Sequence, residues 1–108
     1  MNQFSLENLS AIIDDRSTAS AGTSYTKSLL DSGPERIAKK FGEEAVELVI
    51  ALVSRDKIDI TAEAADVLYH LLVVLKSANV SLASVLSELE RRTTQSGLQE
   101  KAARNPAK

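Results

Sequence analysis

Five acidic side chains lie among apolar residues in the middle of the sequence, in the stretch KFGEEAVELVIALVSRDKIDITAEAADVLYH. They are Glu43, Glu44, Glu47, Glu63 and Asp66. Carboxylates that converge inside a helical bundle repel one another, so they either stay protonated or are balanced by cations. Oxygen-only ligands suit the hard cations Mg²⁺ and Mn²⁺, and Mg²⁺ usually also binds waters and substrate phosphates. The stretch therefore predicts a site for Mg²⁺, with Mn²⁺ as the alternative.

The spacing of these acids places them on the faces of two helices. Steps of three and four residues return to one helix face, so Glu44 shares a stripe with Glu47, and Glu63 shares one with Asp66. Consider an antiparallel hairpin that turns at SRDKID. Positions 44 and 66 have the same midpoint as positions 47 and 63, so the two residues of each pair lie at the same height along the hairpin. Glu43 points about 100° away from Glu44 and is either a further ligand or solvent-facing. Each pair alone also fits an ordinary solvated helix face.

Two other polar side chains share these faces. Lys40 lies one turn before Glu44, where it either pairs with that acid or reaches a substrate phosphate. His70, the only histidine, lies one turn beyond Asp66 and either binds substrate or has a structural role. A di-iron carboxylate centre needs a Glu-x-x-His motif on each of two helices, so a single histidine argues against one.

Hydrophobic spacing and turn signals predict the helices that position these residues. They run from about Leu6 to Arg16, over residues 25–30, from Pro34 to about Ser54, from an N-cap at Asp59 or Thr61 to about Ala78, and from an N-cap at Ser81 to Gly97. Proline at a first helical position loses no hydrogen bond, and Ser, Thr and Asp cap helices well. We therefore expect an all-α bundle of about four to five helices around a central antiparallel pair.

The helix that starts at Pro34 is apolar nearly all round. One stripe consists of Ile37, Phe41, Leu48 and Leu52, and most of the remaining surface of Val46, Val49, Ile50 and Val53. A single small bundle cannot easily bury both sides of such a helix, so we expect a second copy of the chain to cover one side as a homodimer.

Length and composition limit the other possibilities. The 108 residues fit one domain, 1–108, whose tail from about residue 98 is either one more helical turn or a mobile end. A net charge of -2 argues against nucleic acid as a partner, and the absence of cysteine excludes disulfides and thiolate chemistry. The start lacks the pattern of a signal peptide, and the longest aliphatic run, LLVVL, is too short for a membrane span. We expect a cytoplasmic protein.

The acidic motifs resemble those of a known superfamily. GEEAVE followed by EAADVLYH is similar to the EExxE and ExxD signature of the all-α nucleoside triphosphate pyrophosphatases, or MazG-like proteins. The segments SYTKSLLDSGPERIAKKFGEEAVELVIA, EAADVLYHLLVVL and SGLQEKAAR resemble more closely the phosphoribosyl-ATP pyrophosphatase family, from about residue 6 to residue 104. The resemblance implies a helical homodimer that uses Mg²⁺ to hydrolyse phosphoribosyl-ATP to phosphoribosyl-AMP and pyrophosphate, the second step of histidine biosynthesis.

The resemblance also implies roles for individual residues. Glu44, Glu47, Glu63 and Asp66 would hold the metal, with Glu43 as a possible addition; Lys40, Lys101 and Arg104 would contact phosphates; and Tyr25 and Thr26 would lie at the sugar or base. His70 is not placed by the resemblance and keeps its two alternatives. Glu44 or Glu47 would accept the proton of the attacking water. Two alternatives stay open, namely a MazG-like pyrophosphatase for another (d)NTP and a non-catalytic helical dimerisation module.

Overall fold

A computed structural model describes residues 3–20, 24–94 and 104, and the regular structure in those ranges is α-helical. The helices are α1 (Leu6–Arg16), α2 (Tyr25–Asp31), α3 (Pro34–Ser54), α4 (Lys57–Ser77) and α5 (Leu82–Thr93). This confirms the predicted all-α class, and the bounds of α1 and α3 agree with the sequence prediction. The predicted stop of the last helix, Gly97, lies outside the described residues.

Four of these helices have a polar N-cap residue whose side chain accepts a hydrogen bond from the first turn, and α3 starts with proline instead. Ser5 accepts a hydrogen bond from the backbone N–H of Asn8, whose side chain accepts one from the backbone N–H of Ser5 in return, so α1 starts with a capping box. Ser24 caps α2, and Ser81 caps α5 as the sequence predicted. Pro34 is the first residue of α3, where its missing N–H costs nothing.

The predicted N-cap of α4 was wrong. Asp56 caps the helix, because its Oδ1 accepts hydrogen bonds from the backbone N–H groups of Ile58 (2.9 Å) and Asp59 (3.3 Å). Arg55 adopts the left-handed conformation (φ 62°) and ends α3, so only two residues separate the two long helices. Asp59 therefore lies in the first turn, and Thr61 lies one turn inside the helix, where its Oγ1 donates to the carbonyl of Lys57.

Apolar side chains from four helices form a small core. These are Ile13 of α1, Leu29 of α2, Ile37 of α3, and Leu72 and Val73 of α4. A side chain of this kind contributes roughly 1.5–3 kcal/mol when it is fully buried. The α3–α4 hairpin has the most extensive contact between helices, and α1 and α2 pack against it. The hairpin therefore supplies the frame on which the acidic residues are held.

One side of α3 is not covered by the described part of the chain. Four apolar residues at helical spacing form what we call the outer α3 stripe: Val46, Val49, Ile50 and Val53. Their side chains are between 57% and 77% exposed. None of the described helices combines the length and the apolar character that crossing a bilayer requires.

Candidate metal and substrate site

The α3–α4 hairpin brings three of the predicted acids together. Glu44 of α3 and Glu63 and Asp66 of α4 each offer a carboxylate oxygen, and these three oxygens lie within 4.8 Å of one another. The two-residue connection at Arg55 and Asp56 sets the height at which the helices face each other. We call these three residues the acidic trio.

Glu47 stands next to the acidic trio and does not join it. It lines a cleft of about 360 Å³ with Glu63, Ile50, Ala51, Ser54 and Asp59. Asp59 is an acid that the sequence interpretation had assigned only to capping. Its spacing carried a signal, because Asp59 precedes Glu63 by four residues and so lies on the same face of α4.

Glu63 is the electrostatic centre of this region. Its side chain is half-buried, and its Oε1 atom is buried and receives no hydrogen bond from the described residues. Burial raises the pKa of Glu63 above its ordinary value of 4.5. The negative charges of its neighbours raise this pKa further, in the decreasing order Glu47, Asp66, Glu44 and Asp59. The site thus favours either a proton on Glu63 or a cation close to it.

The donor set fits a hard divalent cation. The acidic trio offers only carboxylate oxygens, which Mg²⁺ and Mn²⁺ prefer. The three oxygens lie within 4.8 Å of one another, so they are near enough for all three residues to face a single cation. The orphaned Oε1 of Glu63 is a buried acceptor that a cation would satisfy.

Lys40 and Glu43 form a pair beside the acidic trio. The Nζ atom of Lys40 lies 3.5 Å from Oε1 of Glu43, at a spacing of three residues along α3. The sequence interpretation offered Glu44, one turn away, as the partner of Lys40. Glu43 is exposed and is not among the three converging acids.

A second cavity adjoins the acids. It has a volume of about 590 Å³ and is lined by Arg16, Ala19, Ser24, Tyr25, Thr26, Asp66, Tyr69 and His70. The structure therefore places three of the predicted substrate contacts in one cavity with a member of the acidic trio. The sequence interpretation missed Arg16 and Tyr69. The cavity is assembled from α1, α2 and α4, which are distant in sequence, so no local pattern marks it.

Aromatic rings and one hydroxyl pair shape this cavity. Thr26 is fully buried, and its Oγ1 shares a hydrogen bond of 2.5 Å with the Oη of Tyr69. The rings of Tyr25 and Tyr69 are stacked with centroids 6.3 Å apart. Burial raises the pKa of Tyr69, although its shared hydrogen bond with Thr26 and the charge of Arg16 act in the opposite direction.

His70 has one satisfied ring nitrogen and one unsatisfied. A carbonyl oxygen can only accept, so Nδ1 donates to the carbonyl of Asp66 at 2.8 Å. In the neutral ring, Nε2 then carries a lone pair, and this atom is buried without a hydrogen-bond partner among the described residues. The ring is only 6% exposed and meets Tyr69 edge-on, with centroids 5.0 Å apart.

Two predicted phosphate contacts belong to the C-terminal region. Arg104 is exposed. Lys101 lies outside the described residues, so its role stays a prediction.

The chain is similar to known proteins over nearly its whole length. Residues 6–93 match a family described as phosphoribosyl-ATP pyrophosphohydrolase. The chain is 54% identical over 104 residues to phosphoribosyl-ATP pyrophosphatase 1 of Rhodopseudomonas palustris, covering 96% of this chain and 97% of that protein. It is 53% identical over 107 residues to phosphoribosyl-ATP pyrophosphatase of Methylobacterium radiotolerans, covering 99% and 100%. The corresponding protein of Rhizobium etli is 56% identical over 104 residues, covering 96% and 97%.

Proposed function

Because the chain belongs to the phosphoribosyl-ATP pyrophosphohydrolase family, we propose that it hydrolyses phosphoribosyl-ATP to phosphoribosyl-AMP and pyrophosphate, the second step of histidine biosynthesis. The observation that carries this proposal within the structure is the convergence of Glu44, Glu63 and Asp66. We place the reaction in the cytoplasm.

The acidic trio would hold Mg²⁺ or Mn²⁺. A divalent cation bound there supplies charge neutralisation of phosphate oxygens and polarisation of the phosphoryl group that is attacked. Glu44, Glu63 and Asp66 contribute the fixed negative charge that selects a cation at this point of the hairpin. The raised pKa of Glu63 follows from the same crowding of charge.

Glu47 is the favoured general base. The sequence interpretation left this role to Glu44 or Glu47, and we favour Glu47, because Glu44 belongs to the acidic trio while Glu47 does not. Glu47 is exposed and lines the adjoining cleft with Glu63. A carboxylate that is not used up as a ligand keeps the lone pair with which it can take a proton from the attacking water.

The second cavity would hold the nucleoside and sugar parts of the substrate. Asp66 lines this cavity and also belongs to the acidic trio, so a triphosphate at the trio would lead into it. Tyr25 offers an aromatic ring and Thr26 lies in the wall, as proposed from the sequence. Lys40 is half-exposed beside the acids, within reach of a phosphate if its pairing with Glu43 opens.

A homodimer would cover the outer α3 stripe. An exposed apolar stripe of this size on a helix face is unusual in a monomer. The Cα radius of gyration is 16.6 Å, whereas a compact chain of this length would have about 13 Å. Both facts support a second copy of the chain packed along α3.

Pyrophosphate release tests the reaction directly. Purified protein should release pyrophosphate from phosphoribosyl-ATP with Mg²⁺, and should not do so in excess EDTA. ATP, dATP and dCTP should react far more slowly, and a preference for one of them would favour the alternative of another (d)NTP substrate.

Two variants with a charge-matched control connect the reaction to the acids. Glu44→Gln and Glu47→Gln should each lower turnover at least about a hundredfold while the protein stays folded. Glu35→Gln removes the same charge from the exposed first turn of α3 and should retain near-normal turnover. Equal activity of all three variants would contradict the assignment of the site, and wild-type protein without saturable Mg²⁺ binding would favour the non-catalytic module.

A further inference from the structure

We infer that Arg16 binds the phosphate of the phosphoribosyl group, the part of the substrate by which phosphoribosyl-ATP differs from ATP. The inference rests on the proposed function and assigns a specificity-determining residue to it. Arg16 is the last residue of α1 and lines the second cavity together with Asp66.

The lining of the cavity includes charges of both signs, on Asp66 and Arg16. Asp66 belongs to the acidic trio, where a triphosphate would be held through a cation. A separate phosphate gains nothing from those carboxylates, which repel it. Among the residues that line the cavity, Arg16 is the permanent cation, and it forms no salt bridge with any described acid. A guanidinium in this position is a bidentate partner for phosphate oxygens.

A second observation also points to a polar ligand in this cavity. His70 is 6% exposed, and its buried Nε2 has no hydrogen-bond partner among the described residues. Buried polar atoms in proteins are nearly always satisfied, so an exception in a cavity wall indicates a missing donor. The hydroxyl groups of a ribose are donors of that kind. A volume of about 590 Å³ is within the range of small-molecule sites.

Arg16 differs from the structural side chains around it in its hydrogen bonding. Thr26 and Tyr69 satisfy each other through their shared hydrogen bond. Arg16 forms no hydrogen bond or salt bridge with the described side chains around it, and its exposed position leaves the guanidinium accessible to a ligand. Its charge acts on the Tyr69 hydroxyl, which agrees with a guanidinium on the cavity side of α1.

The test compares two substrates that differ only in this phosphate. Phosphoribosyl-ATP and ribosyl-ATP, which lacks the phosphate on the added ribose, are assayed with wild-type protein, Arg16→Gln, Arg16→Lys and the control Lys76→Gln. Lys76 lies in the last turn of α4, is not among the residues that line the second cavity, and pairs with Asp14, so its loss removes the same charge elsewhere.

We expect Arg16→Gln to lower kcat/KM for phosphoribosyl-ATP by about tenfold to a hundredfold and that for ribosyl-ATP by less than about threefold. Arg16→Lys should keep part of the selectivity, because it retains the charge and loses the bidentate geometry. Lys76→Gln should leave both values near wild type. An equal loss on both substrates, or an equal loss in Lys76→Gln, would overturn the assignment.

Binding without turnover separates this inference from the proposed function. Calorimetry measures the affinities of phosphoribosyl-AMP and ribosyl-AMP for wild-type protein and Arg16→Gln. Wild-type protein should prefer phosphoribosyl-AMP, and Arg16→Gln should lose that preference. Normal turnover without such a preference overturns the role of Arg16 alone, whereas failure of wild-type protein to release pyrophosphate overturns the proposed function.

Discussion

Glu63 connects the charge of the site to the stability of the fold. Burial and four neighbouring carboxylates raise the pKa of Glu63 above 4.5. Between pH 4.5 and that raised value, the metal-free native state holds more protons than the unfolded state. The free energy of unfolding that Glu63 contributes is therefore fully present below pH 4.5 and is lost as the pH rises through the raised pKa.

Replacing Glu63 by glutamine should flatten this dependence. In EDTA, Glu63→Gln should match wild-type protein below pH 4.5 and melt at a higher temperature near pH 7, because it carries no charge to be repelled. Thermal melts at a series of pH values measure this. The control Glu90→Gln removes an exposed acid of α5 and should follow the wild-type curve. Parallel curves for Glu63→Gln and wild-type protein would contradict the electrostatic role.

With Mg²⁺ at pH 7, wild-type protein should melt at a higher temperature than Glu63→Gln, the reverse of the order expected in EDTA. A cation that binds only the native state stabilises it by RT ln(1 + [Mg²⁺]/Kd), so tighter binding gives a higher melting temperature, and Glu63→Gln removes a charged ligand. Glu88 also has a shifted pKa, but it does not affect the comparison of melting temperatures at pH 7. Its hydrogen bonds with Arg91 and Arg92 lower its pKa to about 2, so its contribution is lost as the pH falls from 4.5 toward 2.

Residue types and spacing were sufficient to predict the acidic trio. Steps of three and four residues and a common midpoint depend only on helix geometry, so Glu44, Glu63 and Asp66 could be placed together from the sequence. Glu47 lies beside Glu63, as the common midpoint predicted, but it is not in the cluster of oxygens within 4.8 Å, because that depends on the rotation of α3 against α4. Arg16 was missed since the cavity wall to which it belongs is assembled from helices that are distant in sequence.

At the scale of helices, the sequence predicted α3 better than the start of α4. Pro34 and a continuous apolar pattern mark the bounds of α3. The end of α3 has Arg55 in the left-handed conformation, where Gly or Asn is usual. With no glycine to mark this turn, the polar stretch SRDKID offered several possible caps. Asp56 is the cap because its carboxylate, directly before α4, accepts hydrogen bonds from the N–H groups of Ile58 and Asp59 in the first turn.

Loss of the Asp56 cap should destabilise the fold measurably. Asp56→Ala leaves two N–H groups of α4 without their acceptor and should lower the free energy of unfolding by about 1 kcal/mol. Thr61→Ala removes a hydroxyl that bonds only to the carbonyl of Lys57 within the helix, and should change it by less than about 0.5 kcal/mol. Urea unfolding at one fixed protein concentration measures both. If Thr61→Ala lowered the free energy of unfolding more than Asp56→Ala does, Thr61 would be the N-cap, as one of the two sequence predictions had it.

At the scale of the whole molecule, the described chain does not bury all of its apolar surface. The core consists of few side chains, while the outer α3 stripe faces away from it. The sequence already predicted this imbalance, because α3 is apolar nearly all round. Which side of α3 the chain itself would cover could not be predicted, since that choice depends on how α1 and α2 fold back onto the hairpin. Ile13 of α1 and Leu29 of α2 join Ile37 in the core, whereas the outer α3 stripe is exposed in the described chain.

A charge placed in the outer α3 stripe should therefore separate the proposed dimer. Val49 is in the middle of the stripe, and Val49→Asp would bury a carboxylate without a partner in the interface. Such a change should weaken dimerisation by at least about thirtyfold, as truncations at the centre of interfaces do. Sedimentation equilibrium over a range of concentrations measures this, with wild-type protein expected to be dimeric. Phe4→Asp alters another exposed apolar residue, ahead of α1, and should leave the dimer intact. A wild-type monomer at high concentration, or an undisturbed dimer in Val49→Asp, would mean that the outer α3 stripe is not the interface. The cleft beside it, at Glu47 and Ile50, would then remain open to solvent.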